Sequence, residues 1–166
     1  MKRWGNLFGF GMGTALLLSF CWMGNAAADS PMDLGKAVKI GSGRNVVIEF
    51  TDPDCNFCRA AEAFFRKRPD VTRYIFLNPL SIHPEARVKA EFILSAPDRA
   101  RAYEETMAGK FDEALPAGIT DAGRSLLEEH MEVARDAGID ATPVFMIGGR
   151  IIRGLDKGKI GNALGD

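Results

Sequence analysis

Two cysteines separated by two residues, Cys55 and Cys58, are the side chains of this sequence best suited to chemistry. A thiolate is both a nucleophile toward disulfides and a metal ligand, so this spacing fits either a redox pair or half of a zinc site. A zinc site needs two further ligands, and only His83 and His130 are available, neither at finger-like spacing. The pattern therefore favours thiol–disulfide exchange and implies no metal and no resident cofactor.

The cysteine pair lies where a strand pattern changes into a helix pattern. Residues 45–51 are mostly apolar and β-branched, which predicts a buried strand, and Asp52-Pro53-Asp54 interrupts it. A helix that begins at Cys55 places this sulfur at the helix N-terminus, where unpaired N–H groups and the helix dipole favour a thiolate. We therefore expect Cys55 to be the nucleophile and Cys58, one turn later, to resolve the mixed disulfide.

Thr142-Pro143 is a second candidate element of the site. It precedes the apolar run 144–147, and proline is tolerated at the start or edge of a strand. X–Pro bonds are seldom cis, so an ordinary trans proline is the simplest interpretation. The joint occurrence with the cysteine helix favours a cis bond instead, which would hold the Thr142 backbone beside the sulfurs, ready to pair with a substrate chain.

Glu49 lies inside the apolar run 46–50 of the predicted strand. Burying an ionised carboxylate is costly unless the group is paired or neutral. Because side chains alternate along a strand, Glu49 points away from the face that carries Ile48 and Phe50. Two interpretations stay open: a solvated glutamate on an exposed side, or a buried proton carrier for Cys58.

The first 28 residues have the pattern of a secretory signal. Lys2 and Arg3 precede an uncharged stretch, residues 7–24, and small residues end at Ala28. We expect cleavage after Ala28 and export to the periplasm, with an uncleaved inner-membrane anchor as the alternative. The predicted domains are therefore residues 1–28 as signal peptide and residues 29–166 as one globular domain.

Cleavage would also remove Cys21, which leaves Cys55 and Cys58 as the only cysteines. Two thiols in an oxidising compartment are normally bonded. A disulfide between residues this close in sequence removes little entropy from the unfolded chain, so it makes a poor structural crosslink. The formal net charge of −1 indicates no nucleic-acid surface.

Apolar periodicity predicts the elements that position these residues. The expected order is β-β-α-β-α-α-α-β-β-α, with a Gly148-Gly149 hairpin near the end. The helix after Cys55 should bury one stripe, formed by Phe57, Ala60, Ala61, Phe64 and Phe65. We interpret His130 as a hydrogen-bonded core residue of a later helix and His83 as a loop residue.

Four segments together resemble the DsbC/DsbG group of periplasmic disulfide isomerases: residues 50–58 (FTDPDCNFC), 89–90 (KA), 102–110 (AYEETMAGK) and 137–143 (AGIDATP). The resemblance implies an α/β thioredoxin fold with a helical insertion, about residues 85–137, between an N-terminal βαβ unit and a C-terminal ββα unit. It implies that Cys55 and Cys58 are the catalytic pair and form the redox-active disulfide. It also implies that Thr142 and Pro143, together with Asn56 and Phe57, contact the substrate.

The sequence departs from this group in three places. Residues 29–44 are too few for the N-terminal dimerisation domain of the isomerases, so we expect a monomer. Ser95 stands where the isomerase insertion often carries a cysteine. Glu49 matches the buried acid that thioredoxin and DsbA carry six residues before the first cysteine.

We therefore expect an exported thiol–disulfide oxidoreductase that acts on protein thiols and disulfides. The aromatic Phe57 before the second cysteine resembles the isomerases and favours reductase or isomerase-like use over strong oxidation. A DsbD-like membrane protein is the electron donor that this resemblance implies. The alternative is a non-catalytic binding module, or a metal-binding protein, that uses the same groove.

Overall fold

Five strands form one mixed sheet in the computed structural model, which describes residues 32–166. In chain order they are β1 (Val38–Ile40), β2 (Asn45–Thr51), β3 (Val71–Leu77), β4 (Val144–Ile147) and β5 (Arg150–Arg153). Their order across the sheet is β1-β3-β2-β4-β5, with β2 and β3 parallel and the other neighbours antiparallel. The predicted signal segment, residues 1–28, lies outside the described residues.

The described chain also contains five helices: α1 (Asn56–Phe65), α2 (Ala86–Ser95), α3 (Arg99–Met107), α4 (Asp121–Asp136) and α5 (Lys157–Leu164). The observed order confirms the predicted order of elements, including the helical insertion between the βαβ and ββα units. From residue 32 onward, no helix is both long and apolar enough to cross a membrane.

The two faces of β2 are covered by different helices. Val47 packs in one buried cluster with Phe65 of α1, whereas Phe50 packs in another with Ala134 of α4. Because side chains alternate along a strand, the odd-numbered residues of β2 face α1 and the even-numbered residues face the opposite layer. This parity decides which side chains of β2 can reach the cysteines.

The buried stripe of α1 differs from the predicted one. Phe57 is 69% exposed and Ala60 is also exposed, so the predicted stripe is wrong at these two positions. The buried residues are Cys58, Ala61, Glu62 and Phe65. The apolar pattern misled because a charged residue, Glu62, occupies the buried face and is paired there, while an aromatic residue faces solvent.

Two short local motifs form where their residue types favour them. The side chain of Asp98 caps α3 by accepting a hydrogen bond from the N–H of Arg101 at 3.0 Å. Gly148 and Gly149 both adopt positive φ, 54° and 77°, between β4 and β5. Such a two-residue turn matches the twist of the flanking strands and suits glycine.

His130 of α4 joins the insertion to the sheet. Its Nδ1 accepts a hydrogen bond from the N–H of Leu77 at 3.0 Å, so the proton resides on Nε2, which donates to the carbonyl of Lys36 at 3.0 Å. Its ring also packs against Phe76 with the centroids 5.0 Å apart. Burial lowers the pKa of His130 to about 4, which confirms the interpretation as a hydrogen-bonded core residue.

The His130 side chain should make folding stability depend on pH. Because its pKa is lower in the folded chain than the ordinary 6.5, its stabilising effect is complete above pH 6.5 and is lost as pH falls toward 4. In that window, His130 alone should cost roughly 1 kcal/mol per pH unit of acidification. Urea unfolding of His130→Gln at a series of pH values should show a correspondingly shallower slope.

Phe76→Leu is the matched control for this measurement. It removes packing beside the imidazole and changes no titratable group, so it should lower the free energy of unfolding by the same amount at each pH. Equal slopes for His130→Gln and the parent chain would show that His130 is not the residue responsible.

Candidate active site

Cys55 lies at the N-terminus of α1, immediately after the turn that leaves β2. It is the N-cap residue, with φ −79° and ψ 120°, and its carbonyl accepts the N–H of Arg59 at 3.0 Å. Its own N–H donates to the carbonyl of Asp52 at 3.2 Å, which closes the turn. Cys55 is 7% exposed, whereas Cys58 is fully buried one helical turn later. Both cysteines are free thiols.

Thr142 and Pro143 face this helix start from the opposite end of the chain. The peptide bond between them is cis, and Pro143 leads directly into β4. The Cys55 thiol donates to the carbonyl of Thr142 over 3.7 Å. The fold therefore places the Thr142 backbone beside the first sulfur, although 87 positions separate the two residues in sequence.

Asp52 organises the turn in front of the cysteines. Its carboxylate is fully buried and accepts hydrogen bonds from the N–H groups of Asp54 at 2.8 Å and Leu80 at 2.7 Å. Nδ1 of His83 lies 2.9 Å from the same carboxylate. These contacts hold the loop after β3 against the active-site turn, and they give His83, predicted only as a loop residue, a positioning role.

A second group of charges surrounds the start of α1. Arg59 forms a two-pronged contact with Asp112, at 2.6 and 2.7 Å, and also reaches Asp54 at 3.1 Å. Lys89 of α2, which is almost fully buried, donates to Asp54 at 2.6 Å and to Asp112 at 3.2 Å. The hydrogen bond from Arg59 lowers the pKa of Asp112 to about 2. This network ties the insertion to the active-site turn.

Glu49 is fully buried, so the structure shows the second of the two placements that the sequence left open. Its carboxylate accepts from Arg73 of β3 at 3.1 Å and from the hydroxyl of Tyr103 at 3.5 Å. Arg73 also donates to Glu62 of α1 at 2.6 Å. Burial raises the pKa of Glu49 above its ordinary value, although the charge of Arg73 acts in the opposite direction.

Cys58 is fully buried and has a strongly perturbed thiol. Burial raises its pKa well above the ordinary value, while the side chains of Thr51 and Thr142 lower it in part. A thiol in this position holds its proton until a base removes it. The arrangement thus combines a nearly buried thiol at a helix N-terminus with a second, fully buried thiol that needs a proton acceptor.

The structure brings most of the predicted site residues together. Cys55, Cys58, Thr142 and Pro143 meet at one end of the sheet, and Asn56 and Phe57 form the exposed first residues of α1. Glu49 lies deeper, and neither of its two hydrogen bonds goes to a sulfur.

Sequence reasoning missed five charged residues: Asp52, Arg59, Glu62, Arg73 and Lys89. Arg73 offered a signal, because a charge inside the otherwise apolar strand pattern of residues 71–77 needs a buried partner, as Glu49 does. Lys89 belongs to one of the segments that resemble the isomerases, but its pairing was not predicted. Glu62 offered no signal, since charged residues on amphipathic helices are normally solvated.

Comparison with known proteins agrees with this geometry. Residues 33–159 match the family model described as a thioredoxin-like domain. A probable thiol:disulfide interchange protein DsbC of Bordetella avium is 35% identical over 119 residues, which cover 71% of this chain and 40% of that protein. The corresponding protein of Bordetella parapertussis is 26% identical over 132 residues, 78% of this chain and 45% of its own length. The chain thus spans less than half the length of these curated relatives.

Two solved structures extend the comparison. A disulfide interchange protein from Neisseria gonorrhoeae superposes with a TM-score of 0.68 at 33% identity, over 80% of this chain and 98% of that one. The catalytic domain of Proteus mirabilis ScsC, at 20% identity and a TM-score of 0.56, covers 78% of this chain and 87% of its own, and shows the shared fold. The chain therefore belongs to the thioredoxin-like family and is similar, within it, to the DsbC-type thiol:disulfide interchange proteins.

Proposed function

We propose that this chain catalyses thiol–disulfide exchange with protein substrates, through a mixed disulfide at Cys55 that Cys58 resolves. The observation that carries the proposal is the position of Cys55: it is the N-cap of α1, with the backbone of Thr142 beside its sulfur at 3.7 Å. Backbone N–H groups and the dipole at a helix N-terminus favour a thiolate, which is the attacking species in disulfide exchange.

The exchange runs in two steps that balance in atoms and electrons. The Cys55 thiolate attacks one sulfur of a substrate disulfide, forms a mixed disulfide and releases the other substrate sulfur as a thiolate. Cys58 then loses its proton and attacks the Cys55 sulfur, which releases the second substrate thiolate. The substrate gains two electrons and the chain keeps a Cys55–Cys58 disulfide. The same steps in reverse oxidise a substrate dithiol.

The surface beside Cys55 suits an extended polypeptide. Thr142 and Pro143 supply backbone next to the sulfur, and Asn56 and Phe57 supply exposed side chains on the helix start. The aromatic ring of Phe57 is 69% exposed, an uncommon placement for an aromatic side chain. We assign these four residues to substrate contact.

We assign Glu49 to the proton that Cys58 releases. A buried carboxyl with a raised pKa is a stronger base than an ordinary carboxylate, and base strength near the working pH favours proton transfer. Before the proton transfer, the Glu49 carboxylate is paired with Arg73.

The cellular setting follows from the signal-like segment at residues 1–28 and from the DsbC-type relatives. We place the chain in the periplasm, after cleavage of that segment, as a monomer that receives electrons from a DsbD-like membrane protein. Reductase or isomerase-like use is favoured because Phe57 precedes the second cysteine, as in the isomerases.

Replacement of each cysteine should have a distinct effect. Cys55→Ser should abolish the reduction of insulin disulfides, because the remaining thiol, Cys58, is fully buried and out of reach of the substrate. Cys58→Ser should also stop turnover but accumulate covalent complexes with substrate, which non-reducing gels and mass spectrometry would detect. Full activity in Cys55→Ser would contradict the proposal.

Glu49→Gln should slow the resolving step and leave the first attack by Cys55 unchanged. A glutamine keeps the shape of the side chain but takes up no proton at neutral pH, so release of the second substrate thiolate should slow about tenfold or more. Stopped-flow reaction of the reduced chain with a chromogenic aryl disulfide measures both steps.

Glu62→Gln is the matched control, since Glu62 shares Arg73 with Glu49 but lies one turn further along α1 from Cys58. It should slow the resolving step much less. Equal slowing by the two variants would assign the effect to the charge of the Arg73 cluster instead of to a proton acceptor.

The redox potential and the mass of the chain should match a reductase or isomerase-like monomer. Equilibration with glutathione should give a potential closer to the about −180 mV of protein disulfide isomerase than to the about −120 mV of DsbA. Light scattering on the same sample should give the mass of one chain, no more than 18.1 kDa. A potential at the DsbA end would reverse the proposed direction, and a stable dimer would reopen isomerase function.

A further inference from the structure

Two hydroxyl groups in the part of the chain that the structure describes are buried without a hydrogen-bond partner, those of Thr51 and Thr142. Buried polar groups are nearly always paired, so an unpaired one calls for a physical reason. A threonine hydroxyl can donate one hydrogen bond and accept others, and it rotates freely to do so. Thr51, the last residue of β2, is fully buried, and the two-step exchange by itself gives it no role.

The position of Thr51 follows from the parity of β2. Val47, Glu49 and Thr51 share the face that packs against α1. The chain reverses direction between β2 and α1, so successive residues of this face meet successively earlier turns of the helix. Val47 packs in the cluster that contains Phe65, near the end of α1.

Glu49 and Thr51, the other two residues of this face, meet successively earlier turns of α1. Glu49 connects through Arg73 to Glu62 in the middle of α1, which leaves Thr51 opposite Cys58 in the first turn. Thr51 thus lies on the face of β2 that carries Glu49, opposite the first turn of α1, which carries Cys58.

The electrostatics of the site agree with this placement. The Thr51 hydroxyl lowers the pKa of the Cys58 thiol, of the Glu49 carboxyl and of the Tyr103 phenol, in each case against the larger effect of burial. One hydroxyl therefore lies close enough to interact with all three buried acids. It neighbours both the group that must lose a proton in the resolving step and the carboxylate proposed to take it.

We propose that the Thr51 hydroxyl relays the proton of Cys58 to Glu49 during resolution of the mixed disulfide. The S–H bond of Cys58 breaks as its proton moves to the Thr51 oxygen, and the original hydroxyl proton moves to a carboxylate oxygen of Glu49. Thr51 ends as a neutral hydroxyl, Glu49 as a neutral carboxyl and Cys58 as the attacking thiolate. This inference rests on the proposed function and specifies its proton route.

The acceptor carboxylate is surrounded by other charged and titratable groups. Arg73 of β3 and the hydroxyl of Tyr103 from α3 both contact it, and Glu62 of α1 reaches it through Arg73. Glu62 repels a second negative charge, which favours the protonated form of Glu49 after the transfer. The relay therefore delivers a proton to a group whose surroundings accept it.

Thr51→Val tests the relay, because valine has the same shape without the hydroxyl. Loss of an unpaired hydroxyl should leave the free energy of unfolding unchanged or higher. In stopped-flow reaction of the reduced chain with a chromogenic aryl disulfide, the first phase reports attack by Cys55 and depends on reagent concentration. The second phase reports resolution by Cys58 and does not depend on reagent concentration.

The expected result is that Thr51→Val slows the second phase about tenfold or more near neutral pH and leaves the first phase within about twofold. The slowing should shrink as pH rises, because hydroxide then removes the proton directly. Thr51→Ser, which restores the hydroxyl, should recover most of the rate. The relay would be overturned if the rate of the second phase in Thr51→Val stayed within about twofold of the parent rate. It would also be overturned if Thr51→Ser did not recover that rate.

Two further variants distinguish the relay from a general effect of removing a buried hydroxyl. Thr72→Val removes a buried strand hydroxyl that donates to the carbonyl of Gly43 at 2.6 Å, and it should leave the second phase unchanged. Glu49→Gln combined with Thr51→Val should be no slower than the slower single variant, because both act on one proton path. Additive slowing would overturn the shared path.

The stopped-flow measurement distinguishes failure of the relay from failure of the proposed function. If the chain is not a thiol–disulfide oxidoreductase, the parent itself shows no rapid first phase that Cys55→Ser abolishes. If only the relay is wrong, the parent shows both phases and Thr51→Val reproduces them.

Discussion

The buried guanidinium of Arg73 is the interaction on which the rest of the site depends. It contacts Glu49 on the neighbouring strand and Glu62 on α1, while Tyr103 of α3 closes the cluster from the insertion. Removing one partner from such a cluster leaves an uncompensated buried charge, which costs several kcal/mol, roughly 3–5 in comparable cases. This cluster therefore links the sheet, the active-site helix and the insertion around a single cation.

The charges of this cluster do not cancel, and that imbalance has a chemical consequence. Two carboxylates share one guanidinium, and one oxygen of Glu62 is left without a partner among the described residues. Burial and the second carboxylate raise the pKa of Glu49. The contacts that pair α1 with the sheet thus also keep the Glu49 carboxyl easier to protonate than an ordinary one.

The two cysteines differ because the helix start lies at the edge of the core. Cys55 is the N-cap residue and keeps 7% exposure, whereas Cys58, one turn later, is fully buried in a cluster with Ile75 and Leu77 of β3. Around them, Asp52 and the Lys89 network fix the turn to the loop after β3 and to the insertion. The local geometry of one helix terminus therefore separates an accessible sulfur from a protected one, as an ordered two-step exchange requires.

The sequence alone determined the elements and the chemical pair. Strand and helix order, the hairpin at residues 148–149 and the junction that carries Cys55 and Cys58 are all local patterns, because periodicity, turn residues and spacing act over a few residues. The resemblance of residues 50–58 and 137–143 to a known family also predicted the fold, and the comparisons confirm that prediction.

The tertiary structure decided which side chains are buried together. Phe57 faces solvent against the apolar pattern, and Glu62 faces the core, where it pairs with Arg73. The burial of Glu49, left open by the sequence, depends on the same cation from another strand. The contact of Cys55 with Thr142 likewise joins distant residues. The free energy of a buried charge depends on partners that only folding brings near, and no local pattern records them.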